Sequence, residues 1–397
     1  MSATESAAGS VSPGGCGEGD GVDLVALAAG DTPPDLLSAV AEGRRQMEIC
    51  NACRYCEGYC AVFPAMTLRR TFSDGDMAYL ANLCHNCRGC YYACQYAPPH
   101  AFDINLPRAL AEIRVGTWSD YAWPAPLGRA FARNGLALSV ALALGLAVIM
   151  MLTQGAEGAA RPAGSFYAIM PHATMVALFG SVFVLAIVAM VMGAVRFWRA
   201  SASPGAGGGA VLAAIGDVLS MRHLSGGHGE GCNYEEEDVF SNRRRWLHHA
   251  AFYGFMLCFA STSAGTVLHY VFDQPAPYGP LALPKLLGVP GGILLCIGTG
   301  GLLALRIKSD PLLEARGARG MDAGFTLLLF LVGATGLLLY ALRDTDALHA
   351  LLAVHLGSVL AFFATMPYSR MVHGLYRFLA LVRHAQEQRS RAGGAAA

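Results

Sequence analysis

The sequence predicts a mainly α-helical protein in which a small cysteine-rich domain precedes a six-helix transmembrane bundle. Three observations predict this fold. Of the 397 residues 54% are apolar and only 14% are charged, the mean hydropathy is +0.41, and eight cysteines fall into two tight groups near the N-terminus. An average soluble domain carries about 25% charged residues. A wholly soluble protein is therefore disfavoured, and the net charge of zero gives no indication of a nucleic-acid partner.

The first 43 residues contain no lysine or arginine. The positively charged start of a secretory signal peptide is therefore missing. We predict that residues 1–43 form a disordered tail, rich in glycine, serine and acidic residues, and then a short helix over 33–45. At the other end of the chain, residues 385–397 are predicted to be a frayed tail.

The membrane domain is predicted from a pattern that begins at residue 134. A run of about 20 mainly apolar residues, long enough to cross a bilayer as a helix, occurs six times and is followed each time by a charged connector. The six runs are 134–152, 172–195, 247–272, 286–305, 323–342 and 347–369. These runs define a membrane domain over 134–384 with a long loop at 196–246, separated by a linker at 119–133 from a cysteine domain at 44–118.

Lysine and arginine are distributed unequally between the two sets of loops. One set holds three of them, Arg161, Lys285 and Arg343, and the other set holds seventeen. Because cytoplasmic loops carry the excess of basic residues, we expect a multi-pass protein of the cytoplasmic (inner) membrane of a bacterium with both termini in the cytoplasm. The cysteines then lie in a reducing compartment, where metal binding is more common than disulfide formation.

The cysteines follow the spacing C-x2-C-x2-C-x3-C, and the same spacing is repeated 34 residues later. The two groups are Cys50, Cys53, Cys56, Cys60 and Cys84, Cys87, Cys90, Cys94. This spacing is typical of [4Fe-4S] ligation, and in two-cluster ferredoxins the fourth cysteine binds the other cluster. We therefore expect two [4Fe-4S] clusters in a ferredoxin-like domain, one with Cys94 as its fourth ligand and one with Cys60. Zinc is the alternative, but zinc ribbons separate two cysteine pairs instead of crowding four cysteines together twice.

Ionisable residues inside membrane spans are functional candidates because they are costly there. The third span carries His248 and His249 at its cytoplasmic start and His269 near its outer end, and the sixth carries His355 near its outer end, with His373 just past its cytoplasmic end. Since these spans run antiparallel, depth pairs His248 or His249 with His373, and His269 with His355. This arrangement is expected of one or two bis-histidine b haems. Helical spacing favours His248 over His249, but both stay candidates; an interfacial position is the alternative for each histidine, and is the one expected of His172.

Two other parts of the sequence bear on function. The loop 219–245, which includes Cys232, is predicted to be a solvated turn region instead of a third metal site. No stretch predicts a flavin or nicotinamide fold, so the chain needs an external electron donor and is not expected to be a complete enzyme by itself. A transporter with redox-sensing clusters is disfavoured because no predicted span carries an acidic residue or lysine.

Three strings carry a family resemblance: CNACRYCEGYCAVFPA at 50–65, YLANLCHNCRGCYYACQYAPPHAFDINLPRALAEIR at 79–114 and RRRWLHHAAFYGFMLCFAST at 243–262. They resemble the tricarballylate/citrate-utilisation B proteins, and the likeness spans about 44–384. The same module resembles the iron-sulfur and b-haem part of a cobalamin-pathway protein whose flavin part hydroxylates precorrin-3B. Residues 353–377 are similar to the haem-binding span of nitrate reductase gamma subunits, a membrane cytochrome b, whose two histidines map onto His355 and His373.

The resemblance implies a membrane electron-transfer protein. It would reoxidise the reduced FAD of a partner dehydrogenase of the tricarballylate dehydrogenase type and pass electrons through two [4Fe-4S] clusters and haem b to the quinone pool. The alternative that it implies is a redox module serving flavin-dependent precorrin-3B hydroxylation in cobalamin biosynthesis.

Overall fold

The computed structural model describes residues 35–154, 169–201, 207–226, 229–235 and 238–394. The helices are α1 Leu36–Cys53, α2 Val62–Met66, α3 Asp74–Leu83, α4 Gly89–Tyr92, α5 Leu106–Tyr121, α6 Ala125–Gln154, α7 His172–Ala200, α8 Gly208–Ser220, α9 Arg243–Val271, α10 Leu283–Ile307, α11 Ala318–Ala341, α12 Leu348–Thr365 and α13 Val372–Gly394. Within these ranges no strand is present, and Cys232 and Ser241 form only an isolated bridge. The prediction of a mainly α-helical chain is confirmed. The predicted disordered tail lies outside the described residues as far as residue 34.

Six helices, α6, α7, α9, α10, α11 and α12, are long and apolar enough to cross a membrane. They confirm the six predicted runs. Many of their large apolar side chains lie on the surface, including Leu144, Val184 and Leu185, each about 60% exposed. An apolar surface of this extent is unfavourable in water, whereas the hydrocarbon of a lipid bilayer solvates it well.

The first spanning helix begins earlier than the sequence pattern indicates. α6 starts at Ala125 and continues across a break in the helical backbone at Asn134. Phe131 and Ala132, which precede the break, are buried. Only residues 122–124 therefore separate α5 from α6, where the sequence predicts a longer linker over 119–133. The residues before the apolar run are helical because they pack into the protein core.

Glycines bring the spanning helices into close backbone contact. α9 and α10 form an antiparallel pair in which a Cβ atom on Gly298 would lie 2.2 Å from the backbone nitrogen of Ala251, and one on Gly254 would lie 2.4 Å from that of Leu295. Small residues permit such close packing in membranes, where helix association depends on van der Waals contact instead of the hydrophobic effect. The α9–α10 pair thus fixes the position of the helix that carries His248 and His249.

The cysteine domain packs α1, α3 and α5 around a core that includes Met47, Met77, Leu80 and Ile113, all fully buried. Its helices have well-formed ends. Ser73 and Asp76 form a capping box at the start of α3, and the Asn105 side chain accepts a hydrogen bond at the start of α5. The domain lies at the end of the bundle where α7 ends and α11 begins, since Gly75 contacts the carbonyl of Ala200 and Asn105 donates to Leu312.

The last helix, α13, fastens the membrane bundle to the cysteine domain. Glu387 accepts hydrogen bonds from Arg69 at 2.6 Å and from the hydroxyl of Tyr79 at 3.0 Å, and Arg383 donates to Asp76 at 2.9 Å. The helix continues to Gly394, where the sequence predicts a frayed tail from residue 385. The polar composition of this segment suggests fraying, but its charged side chains have partners on the cysteine domain.

Candidate functional site

The eight predicted ligand cysteines lie on and between short helices. Cys50 and Cys53 belong to the last turn of α1, Cys84 follows α3, and Cys90 lies on α4. Asn86 and Arg88 take left-handed backbone conformations with φ of 53° and 65°. Such conformations are uncommon for residues other than glycine, and they curl the loop between Cys84 and Cys90. All eight thiols are free of disulfides.

Four of the thiols form a first cysteine group, Cys50, Cys53, Cys56 and Cys94. Burial and the neighbouring thiols Cys94, Cys56 and Cys53 raise the pKa of Cys50 to about 12. Burial, Cys94 and Cys53 likewise raise the pKa of Cys56 to about 11. All four line one cavity with Tyr55 and Tyr96.

The other four thiols form a second cysteine group, Cys60, Cys84, Cys87 and Cys90. Burial, Cys87 and Cys84 raise the pKa of Cys60 well above its usual range. Burial raises the pKa of Cys90 in the same way, with contributions from the other three and from Cys56. Cys56 of the first group and Cys90 of the second group are therefore neighbours, and the two groups adjoin each other there. The grouping is the one expected from the ferredoxin spacing, with Cys94 and Cys60 exchanged, while ligation itself stays a prediction.

The donor set fits an iron-sulfur cluster. Thiols packed this closely resist ionisation unless a cationic metal centre compensates their charge. Each group supplies four cysteine thiols free of disulfides, and four cysteine thiolates are the donor set that holds a [4Fe-4S] cluster.

The loop before α9 covers the second cysteine group. The backbone nitrogen of Asn233 donates to the carbonyl of Cys87 at 2.9 Å, and Cys232 is 1% exposed. Burial, Cys232 and Cys84 raise the pKa of Cys87 to about 12. The prediction of a solvated turn region is wrong at this point. Gly231, the residue before Cys232, has a φ of +115°, and a Cβ atom there would lie 2.2 Å from the carbonyl oxygen of Ser241.

Histidines from α9 and α13 meet at the end of the bundle nearest the cysteine domain. The ring centroids of His248 and His373 are 6.0 Å apart. His373 Nδ1 hydrogen-bonds to the carbonyl of Arg370, which fixes the tautomer and leaves Nε2 free to bind a metal. An imidazole-metal bond is about 2 Å long, so the 6.0 Å between the two rings would allow both to bind one metal centre. The pair therefore fits bis-histidine haem ligation.

His249 does not join this pair. Its ring lies against Trp246 at 5.8 Å and Tyr253 at 5.9 Å. Of the two adjacent histidines that the sequence left open, His248 is the one that faces His373.

At the other end of the bundle the predicted histidines have different neighbours. His355 Nδ1 lies 3.0 Å from the hydroxyl of Thr335, which itself donates to the carbonyl of Leu331. With that proton donated, Thr335 accepts from Nδ1, which makes Nε2 the acceptor nitrogen of the neutral ring. His269 stacks on His172, with centroids 4.1 Å apart. The interfacial position predicted for His172 and the pairing of His269 with His355 both stay predictions.

Two arginines tie the histidine helices to the second cysteine group. Arg377 donates to the carbonyl of Cys84 at 2.8 Å, and Arg244 donates to the carbonyl of Asn86 at 2.8 Å. Each arginine lies four residues, about one helical turn, from a histidine of the His248–His373 pair. In the sequence both belong to the seventeen basic residues of the cytoplasmic set of loops. Their spacing from the histidines was the available signal.

Comparisons with known proteins agree with this architecture. The family model described as citrate utilization protein B matches residues 127–394, and the model for the Fer4-like domain of the same family matches residues 43–122. Citrate utilization protein B of Escherichia coli is 47% identical over 357 residues, which cover 89% of this chain and 94% of that protein. No solved structure matches. The Fer4-like match identifies the cysteine domain as an iron-sulfur domain, and the chain belongs to the citrate utilization protein B family.

Proposed function

We propose that this chain is a membrane electron-transfer protein that reoxidises the reduced FAD of a partner dehydrogenase and passes the electrons to the quinone pool. The eight cysteines would hold two [4Fe-4S] clusters, and His248 and His373 would hold haem b. A second haem at His269 and His355 is part of the proposal. The observation that carries it is the pair of hydrogen bonds from Arg244 and Arg377, which bring the second cysteine group to the helices of the histidine pair.

The first cysteine group is the proposed entry point for electrons. Tyr55, beside it in the chain, is 67% exposed, and Phe102 is 45% exposed. Phe102 packs against the ring of Tyr96, which lines the cavity of the first group. Exposed aromatic side chains of this kind are typical of protein interfaces. A flavoprotein bound here would bring its cofactor close to the cysteine group that is nearer to the surface.

From the first cysteine group, the groups proposed to carry electrons follow one another toward the His248–His373 pair. Cys56 and Cys90 connect the first group to the second, and Trp118 on α5 lies 6.4 Å from the ring of His373. Iron-sulfur clusters and haem supply one-electron carriers, which can accept the two electrons of a reduced flavin in succession. The residues of this chain hold the carriers in order, and the arginines beside Cys84 stabilise added negative charge there.

The substrate of the system belongs to the partner. The name of the Escherichia coli relative refers to citrate utilization, and this favours a partner that oxidises a polycarboxylate of the tricarballylate type over one that serves cobalamin biosynthesis. The six spanning helices give access to a lipid-soluble acceptor, so quinone is the proposed destination. The orientation with both termini in the cytoplasm would place the clusters on the side where such a dehydrogenase works.

The test is a reduced-minus-oxidised optical spectrum of the purified protein, recorded first with dithionite. We expect a sharp b-type α band together with loss of the broad iron-sulfur absorbance. The reduced flavoprotein then replaces dithionite, and a soluble quinone analogue is added last. Reduction by the flavoprotein followed by reoxidation with quinone supports the proposed direction. Bleaching of the broad absorbance without a haem band would contradict the histidine assignment, and a chain that the reduced flavoprotein cannot reduce would contradict the partner.

A further inference from the structure

A polar cavity lies between the cysteine domain and the membrane helices. Four arginines line it, Arg88, Arg114, Arg306 and Arg370, together with the two carboxylates Glu314 and Asp322. Arg88 belongs to the loop of the second cysteine group, and Arg370 precedes His373 by three residues. The cavity therefore lies between the two places where the redox cofactors are proposed to bind.

The two carboxylates already have cationic partners. Asp322 forms ion pairs with Arg306 at 2.6 Å and with Arg370. Glu314 forms ion pairs with Arg306 at 3.5 Å and with Arg319 at 2.8 Å. Two of the four lining arginines, Arg306 and Arg370, are thus compensated by the two acids. The four arginines exceed the two carboxylates by two positive charges (four minus two). Arg88 has only a long ion pair with Glu314, and Arg114 has no ion pair among the described residues.

Arg88 is the most unusual of these residues, because it is 1% exposed and two of its nitrogen atoms lack hydrogen-bond partners within the described part of the chain. Its Nη1 donates to the carbonyl of Tyr234 at 3.0 Å, and its guanidinium lies over the Tyr234 ring. Among the described residues its Nε and Nη2 have no hydrogen-bond partner. The nearest carboxylate oxygen, Glu314 Oε1, is 3.9 Å from Nη2, beyond hydrogen-bond distance. A buried charge with two unused donors is costly unless an anion binds there.

Arg114 is similarly placed. It is 6% exposed, and its Nη1 donates only to backbone carbonyls, those of Ala81 and Cys84. A neutral ligand such as a quinone would leave the two charges uncompensated. Carboxylates match both the charge and the planar donor geometry of a guanidinium.

We propose that this cavity is a carboxylate-binding site. Two sources of carboxylate fit it. The first, which rests on the proposed function, is the propionate pair of a haem held by His248 and His373; Trp118 lines the cavity and contacts His373. The second is a free polycarboxylate that enters from solution.

The experiment uses the purified full-length protein, and an optical spectrum first establishes whether haem and clusters are present. Two quantities are then measured for the wild type and for Arg88→Gln: the thermal midpoint in citrate against sodium chloride of equal ionic strength, and the midpoint potential of the haem. Arg316→Gln is the matched control, because Arg316 is an arginine with a side chain 57% exposed outside the cavity. Arg88→Lys keeps the positive charge. In both measurements its change should have the same direction as that of the wild type.

Each source gives its own result. If propionates occupy the site, Arg88→Gln lowers the haem potential, since loss of a nearby cation favours the oxidised iron, and citrate has no effect. If a free polycarboxylate binds, citrate raises the thermal midpoint of the wild type but not of Arg88→Gln, and the haem potential is unchanged. The citrate measurement remains informative in a protein without haem, so failure of the haem assignment is separate from failure of this proposal.

Arg88 is next to Cys87, so Arg88→Gln could lose its clusters. In that case Ala318→Leu provides the second variant. Ala318 lines the cavity and is 4% exposed, and a larger side chain there reduces the space without changing the cysteine loop or the charge. It should reproduce the effect on citrate stabilisation or on haem potential. If citrate has no effect and neither variant changes the haem potential, the proposal is overturned.

Discussion

Arg377 donates a hydrogen bond to the carbonyl oxygen of Cys84, 2.8 Å away, from a position four residues beyond His373 on the same helix. The contact joins a cysteine from the N-terminal domain to the helix that follows the last membrane span. Residues 293 positions apart in the chain thus form one connection. It fixes the distance between the proposed cluster and the proposed haem, on which the rate of electron transfer depends.

The histidine pair gives the first prediction. His248→Leu and His373→Leu should each abolish the b-type spectrum of the proposed haem at this end of the bundle, because each removes one of its two proposed ligands. His249→Leu is the matched control and should keep the spectrum, since His249 faces Trp246 and Tyr253. Haem content and the optical difference spectrum are the measurements. An intact spectrum in His248→Leu with a lost one in His249→Leu would reverse the assignment.

The link through Arg377 gives the second prediction. Arg377→Gln removes a charged donor from the carbonyl of Cys84, and hydrogen bonds from charged groups contribute about 1.5–3 kcal/mol. The second cluster should have a lower midpoint potential, because less positive charge stabilises its reduced form. Stopped-flow reduction of the haem should slow as well. Arg391→Gln, an exposed position on the same helix, should change neither quantity, and equal slowing in both variants would argue against the link.

The cysteine grouping and the six spans could be predicted from the sequence because both depend on local patterns: thiol spacing in one case, and twenty-residue apolar runs in the other. The positions of His248 and His373 along antiparallel helices also predicted that these two residues lie at the same depth. The contacts of Cys232, Arg88 and Glu387 could not be predicted. Each of them depends on a partner far away in the sequence, and neither composition nor periodicity records such a partner.

The C-terminal helix gives the third prediction. Glu387→Gln leaves Arg69 and Arg383, each with a side chain only 9% exposed, with Asp76 as their one remaining acidic partner among the described residues. Breaking a buried ion pair on one side costs about 3–5 kcal/mol, so a clear drop in the thermal midpoint is expected. A chain that ends at residue 384 should show at least the same loss. If that shortened chain is as stable as the full one, the helix beyond residue 384 does not hold the two domains together.

The pH dependence of this contact gives the fourth prediction. Burial works to raise the pKa of Asp76, but hydrogen bonds from Arg69 and Ser73 and the charges of Arg69 and Arg383 lower it below its usual 3.8. A carboxylate with a lowered pKa in the folded state stabilises the protein fully above its unfolded pKa, and this contribution is lost as the pH falls through the folded pKa. The difference in stability between the wild type and Asp76→Asn should therefore be constant between pH 7 and 5 and shrink only below pH 3.8.

Both proteins carry the same cysteine ligands, so the difference between their stabilities isolates Asp76. A difference that already shrinks between pH 7 and 5 would contradict the lowered pKa.

The close contact of α9 with α10 gives the fifth prediction. A Cβ atom at residue 298 would lie 2.2 Å from the backbone nitrogen of Ala251 and 2.7 Å from the carbonyl oxygen of Leu247, and backbone atoms cannot move aside as a flexible side chain can. Gly298→Ala should therefore separate the two helices and destabilise the protein by about 1–3 kcal/mol, the usual cost of overpacking. Because Ala251 lies three residues from His248, the separation should also reduce haem content. Gly180→Ala is the control, since a Cβ atom there meets nothing within 4 Å. The measurements are the thermal midpoint and the haem-to-protein ratio of each variant. Loss of stability with full haem content would show that the α9–α10 contact supports the fold without positioning the histidine.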